Sequence, residues 1–213
     1  MRDLEKRCPL CRVNQLFCFC DQVKSYSNIT KVSMLVHVRE LSLASNTAHL
    51  VNRVLSNSEI LIRGQMDSPL QLDGVIDANC RPLFLFPDES AQVLDEQFVK
   101  NNPGPYQLIV PDGSWRQAKK FKKREKILAS IPSVKLESAR PSEYILRKEP
   151  SPTSLCTFEA IARALGILES PSLQLKMEEV FTVMVDTVMR SRKGYVEIGE
   201  RYRAYLEKKN NIS

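Results

Sequence analysis

Four of the chain's six cysteines stand close together near the N-terminus, as Cys8-Pro9-Leu10-Cys11 and Cys18-Phe19-Cys20. Four thiolates can close a tetrahedral metal site, and a segment this short has little other means of ordering itself. The first pair has the spacing of half a zinc knuckle, while the second, with one intervening residue, is tighter than usual. Structural zinc is the leading reading. An iron–sulfur cluster, a redox pair or four free thiols are the alternatives.

A second group that could do chemistry lies in Val110-Pro111-Asp112-Gly113-Ser114-Trp115-Arg116-Gln117-Ala118-Lys119-Lys120. The apolar run ending at Val110 reads as a buried strand, Pro and Gly force a turn, and Ser114 suits a helix N-cap. Asp112 is then expected in a loop outside the C-terminal end of a strand, the edge where α/β sheets bind ligands. The chain's only tryptophan follows it, and then a run of cations, Lys119, Lys120, Lys122, Lys123, Arg124 and Lys126, with Glu125 the single acid among them. Such a helix suits a phosphate backbone, although a solvated helix face reads the same way on charge alone. An Asp-Gly turn and a core tryptophan are likewise the ordinary reading of the same residues.

The elements that must position these groups alternate. Lys31–His37 is a β-branched apolar run and the first expected core strand. Ser45-Asn46-Thr47 then opens a helix with Leu50, Val51, Val54 and Leu55 on one face. Glu59–Ile62 is a short strand, and Leu83–Phe86 is a continuous apolar run of the kind found in parallel sheets. Asp88-Glu89-Ser90 is expected to cap a helix through Val93, Leu94 and Phe98. Strands follow at Gln107–Val110 and Ser133–Leu136. After a long connection with several prolines, Thr157 is the expected N-cap of a helix running to Gly166. Pro171 begins a further helix with Val180, Met184 and Val188 facing the core, and Tyr195–Lys209 reads as a peripheral helix of mixed charge. His37 at a strand end reads as a structural, hydrogen-bonded histidine. The alternation predicts an α/β fold with a mostly parallel sheet.

Length and composition set bounds. At 213 residues, with 43% hydrophobic and 26% charged residues, the chain is an ordinary globular sequence with room for one core and a small appendage. No apolar stretch reaches the length of a membrane span and the start, MRDLEKRC, has no signal-peptide character, so a soluble, cytoplasmic protein is expected. In a reducing compartment clustered cysteines point to metal rather than disulfides.

Taken together, the four cysteines, HVRELSLASNT, PDGSWRQAKK and SEYILRKEPSPTSLCTFEAIA resemble the DTW-domain family of tRNA-uridine aminocarboxypropyltransferases. The resemblance spans about residues 7 to 190, with the motifs in order. The name-giving Asp-x-Thr-Trp stands as Asp112, Gly113, Ser114 and Trp115, where Ser keeps the hydroxyl. The family's His-Pro-Lys/Arg-Glu stands as His37, Val38, Arg39 and Glu40, and its Asn-Thr-Gly-Arg as Asn46, Thr47, Ala48 and His49. The Ser-x-Tyr-x-Leu-Arg and Ser-Thr-Leu-Glu-Ala stretches stand as Ser142, Tyr144, Leu146 and Arg147, and as Cys156, Thr157, Phe158, Glu159 and Ala160.

The resemblance implies a SPOUT-like sheet whose C-terminal part is threaded into a trefoil knot, with a small four-cysteine metal-binding module at 1–28, a catalytic domain at 29–192 and a helical tail at 193–213. It implies that S-adenosylmethionine binds loops at Leu85, Phe86 and Pro87, at Asp112, Gly113 and Ser114, and at Leu155, Cys156 and Thr157. Arg147, or amides at the helix start near Thr157, would hold the carboxylate of the transferred tail. Asp112 would take the N3 proton of a tRNA uridine, its basicity raised by a wall formed by Trp115. Zinc would be structural. Arg39, Arg116, Lys119, Lys120, Lys122 and Lys123 are the cations expected to meet tRNA; neither DNA nor a membrane is expected as a partner. A SPOUT-type RNA methyltransferase and a non-catalytic zinc-ribbon RNA-binding protein are the competing readings.

Overall fold

The computed structural model describes residues 7–41, 43, 45–65, 72, 74–113, 115–137, 140–146 and 154–193, without the side chains of Trp115 and Lys193. Strands β1 (Lys31–His37), β2 (Ser58–Arg63), β3 (Arg81–Leu85), β4 (Gln92–Val93), β5 (Tyr106–Asp112) and β6 (Ser133–Lys135) form one sheet in the order β2-β1-β5-β3-β6-β4. Every pairing is parallel. All strands therefore end on the same edge, and the loops there surround whatever binds.

Parallel strands are covered on both faces, which is why the central ones read as unbroken apolar runs. Val32, Met34 and Val36 of β1 and Leu108 and Val110 of β5 face one core, shared with α1 (Ala48–Val54), α5 (Thr157–Leu168) and α6 (Pro171–Lys193). Between α1 and α5 in the chain lie α2 (Glu96–Asn101), α3 (Trp115–Arg124) and α4 (Lys126–Ala129). Leu35, Phe84 and Ile109 point the other way, against Ala118 and Phe121 of α3 and Leu128 of α4. From the N-terminal segment, Cys8, Cys11, Val13 and Phe19 join the first of these cores.

Three local expectations are corrected. Asp112 is the last residue of β5, in register with Val36, because pairing with β1 carries the strand through Pro111. No helix follows Asp88: Gln92 and Val93 pair with β6, and α2 starts at Glu96, where the Asp95 carboxylate accepts from Phe98 N at 2.7 Å. Asp88 instead accepts from Ser90 N at 2.9 Å, which makes a local turn that competes with helix. The N-cap of α5 is Cys156, one residue before Thr157, whose hydroxyl has a tertiary partner instead. The helix expected at 195–209 lies outside the described residues. So do 138–139 and 147–153 of the connection from β6 to α5.

Candidate functional site

At the C-terminal edge of the sheet, the Asp112 carboxylate is buried, with 6% of the residue exposed. Asn46 Nδ2 donates to one oxygen and Thr157 Oγ1 to the other, each at 2.5 Å. Loop 45–47 is tied again nearby, to α5 and to segment 140–146. Thr47 Oγ1 accepts from Phe158 N at 3.3 Å, and Tyr144 O–H donates to the Ser45 carbonyl. Glu159, one turn into α5, accepts from Ser142 Oγ at 2.5 Å, Glu143 N at 2.7 Å and Cys156 N at 3.3 Å. Arg163 donates to the carbonyls of Arg140 and Pro141 at 2.7 and 3.1 Å. Two buried carboxylates thus gather loop 45–47, the end of β5, segment 140–146 and the start of α5. Removing one member of such a network leaves its partners unsatisfied, at a cost of about 1–3 kcal/mol each.

In front of this network lies an open cleft of about 150 Å³. Leu85, Phe86 and Pro87 form one wall after β3, and Val110, Pro111 and Gly113 a second at the end of β5. Ser154 and Leu155, just before α5, and Thr157 and Ala160 within it close the cleft. Three loops named from the sequence therefore meet at one place. Two of their residues stand back from it: Asp112 is reached through Thr157, and Cys156 is buried under the helix start, its thiol pushed well above the usual range by burial and by the Glu159 charge. Ser114 and Arg147, and the side chain of Trp115, lie outside the described residues.

The structure adds Val134, Lys135 and Leu136 at the end of β6, and Ala118 on α3, to the lining. The short strand β6 carries no motif of its own. Its nomination would have required knowing that it pairs with β3, so that its C-terminal end opens beside Leu85.

The four N-terminal cysteines meet. Their sulfur atoms all lie within 4.8 Å of one another, with Cys8 to Cys20 at 3.6 Å and Cys11 to Cys18 at 3.9 Å. A tetrahedral zinc–thiolate site has sulfur–sulfur edges of about 3.8 Å, from Zn–S bonds of about 2.3 Å. The donor set therefore fits such an ion, held by Cys8, Cys11, Cys18 and Cys20. The backbone is folded for it: Arg12 adopts φ 62°, Arg12 N donates to the Cys8 carbonyl and Cys8 N to the Val13 carbonyl, both at 2.8 Å. Burial raises the Cys8 thiol, but amides of Cys11 and Leu10 and the neighbouring thiols outweigh it and bring it down to about 6. Cys20 is pushed up to about 12 by burial and by its sulfur neighbours. Four thiols this close cannot all ionise without a cation among them, which is the condition a metal ion meets.

A family profile described as "DTW domain" matches residues 5–189. The chain belongs to the DTW-domain family. It is 27% identical over 171 residues to the Drosophila melanogaster tRNA-uridine aminocarboxypropyltransferase 2, covering 77% of this chain and 67% of that one. The Macaca fascicularis protein of that name is 26% identical over 167 residues, 76% of this chain and 56% of its own length. The Arabidopsis thaliana tRNA-uridine aminocarboxypropyltransferase A is 26% identical over 209 residues, 84% and 79% of the two chains. This chain thus spans between about half and four fifths of the length of these relatives. Among solved structures, the SAM-dependent rRNA:acp-transferase Tsr3 from Vulcanisaeta distributa aligns with a TM-score of 0.47 and 18% identity, over 83% and 84% of the two chains.

In this DTW-domain protein the cations named from the sequence divide into two sets. Arg39, just beyond β1, and Arg116, Lys119, Lys120 and Lys123 on α3 reach solvent. Lys122 faces inward: its Nζ donates to Ser133 Oγ at 2.5 Å and pairs with Asp88 at 3.3 Å, with the Phe84 ring centroid at 5.8 Å. Burial would raise the Asp88 carboxyl, but hydrogen bonds from Ser133, Ser90 and Lys122 bring it down to about 2. Lys122 is thus a packing residue. His37 accepts from Arg39 N at 3.2 Å, the structural role read from its position. His49 is buried, and burial, reinforced by the charges of Arg12 and Arg53, outweighs an interaction with the Asn46 backbone and holds it down to about 4.

Proposed function

We propose that this protein transfers the 3-amino-3-carboxypropyl group of S-adenosylmethionine to N3 of a tRNA uridine, releasing methylthioadenosine. The observation that carries this reading is the cleft at the sheet edge, where the residues following β3, ending β5 and opening α5 converge in front of the Asp112–Thr157 pair. The relatives' names supply the reaction class.

Bound S-adenosylmethionine supplies a sulfonium whose tail carbon accepts the uridine nitrogen while sulfur leaves with the bonding electron pair. The protein's part is to bind, orient and take a proton. The apolar walls from Leu85 to Pro87 and from Val110 to Gly113 suit a planar base. The uridine N3 proton passes to Thr157 Oγ1 as the hydroxyl hydrogen moves to Asp112, so the carboxylate acts through one intervening hydroxyl. Asn46, donating to the second oxygen, fixes the carboxylate's orientation. Because the sulfonium is already an activated leaving group, a metal held by Cys8, Cys11, Cys18 and Cys20 would be structural. Arg39, Arg116, Lys119, Lys120 and Lys123, which reach solvent, would track the tRNA backbone.

Mass spectrometry of tRNA nucleosides from cells lacking the protein tests this. The aminocarboxypropyl uridine should vanish and return with the wild-type chain but not with Asp112→Asn. An unchanged nucleoside profile contradicts it.

A further inference from the structure

Among the described residues lining the cleft, Lys135 alone carries a charge; the others are apolar or, at Ser154 and Thr157, hydroxylated. It ends β6, next to Val134, which is fully buried. Among the described residues its ammonium has one loose ion pair, with Glu137 at 3.9 Å, and the two side chains are 38% and 68% exposed. A pair that long and that exposed holds a lysine weakly. Lys122 is the contrast, gripped by Asp88 and Ser133.

The one charge among the described lining residues bears on what the cleft can take. The ligand of the proposed function, on which this inference rests, carries two cations, a sulfonium and an amine, and one anion, the carboxylate at the end of the tail. Placed beside either cation, Lys135 would weaken binding; placed beside the carboxylate, it makes a charge-assisted hydrogen bond. We propose that Lys135 holds the tail carboxylate of S-adenosylmethionine and thereby determines which carbon of the sulfonium is presented to the uridine.

Calorimetry without RNA separates this from other roles, with S-adenosylmethionine and methylthioadenosine as probes, since the second lacks the tail. Lys135→Gln should weaken the first ligand about tenfold or more and leave the second within about twofold, and Lys135→Arg should recover most of the loss. Equal changes for both ligands, or no change for either, would overturn the assignment. Wild-type protein that binds neither ligand would overturn the proposed function itself, and this inference with it.

Discussion

Around Asp112 and Glu159 the buried carboxylates are met by donors from separate segments of the protein, whereas the cysteines at 8, 11, 18 and 20 crowd their sulfurs with little but one another and a few amides as partners. The first region is organised by the sheet and its helices and needs nothing from outside the chain. The second becomes favourable when a cation takes up the thiolate charge. The difference predicts that the cleft and the N-terminal segment fail separately. Their hydrophobic contacts are shared, so damage to the second should loosen α6 before it reaches β5.

The largest effect expected is on the thiolate side. Cys11→Ser or chelation should abolish amide protection across residues 8–23 while leaving residues 106–112 protected, since metal binding supplies about 10–16 kcal/mol of apparent folding energy in small zinc modules. Hydrogen exchange with elemental analysis checks it; native protein with neither zinc nor iron would break the comparison.

Next comes Asp112→Asn. An amide cannot accept from both Asn46 and Thr157 and be the proton's destination. The single-turnover rate should fall about 10²- to 10⁴-fold, with a stability loss of about 1–3 kcal/mol, while bound metal stays at the wild-type level. A rate within a few-fold of wild type would make Asp112 a staple only.

His49 sits between the regions. Its folded value of about 4 lies below the unfolded imidazole value of about 6.5. The unfolded chain therefore takes up a proton first, so stability is full above about pH 6.5 and declines toward about pH 4, by on the order of 3 kcal/mol. His49→Leu should flatten that window in denaturant titrations at several pH values. An unaltered acid slope would place the acid-sensitive group in another part of the chain.

The smallest effect is on the basic helix. Lys119, Lys120 and Lys123 changed together to Gln should flatten the salt dependence of tRNA binding by up to about 0.7–0.9 log units per lost phosphate contact. Lys122→Ala should destabilise the fold and leave that slope unchanged, because its ammonium is engaged with Asp88 and Ser133.

Much of this was legible in the sequence, for physical reasons. Strands buried on both faces write continuous apolar runs, so β1, β3 and β5 could be read directly. Four cysteines in a short segment announce their own meeting. What failed depended on partners distant in the chain. The extension of β5 through Asp112 and the strand at Gln92 need neighbours far along the sequence, at Val36 and Val134. The inward turn of Lys122 needs Asp88, and the place of Lys135 in the cleft needs the pairing of β6 with β3. The polar staple at Glu159 was visible only as a motif residue; its role as the acceptor for segment 140–146 is a tertiary fact.

The central claim, that this cleft directs the tail of S-adenosylmethionine onto uridine, is tested most directly by identifying the small molecule released when purified protein is incubated with tRNA and S-adenosylmethionine. The account predicts methylthioadenosine, in amounts equal to the aminocarboxypropyl uridine formed and absent with Asp112→Asn. Release of S-adenosylhomocysteine would contradict it by showing methyl transfer, and failure to bind S-adenosylmethionine at all would contradict it outright.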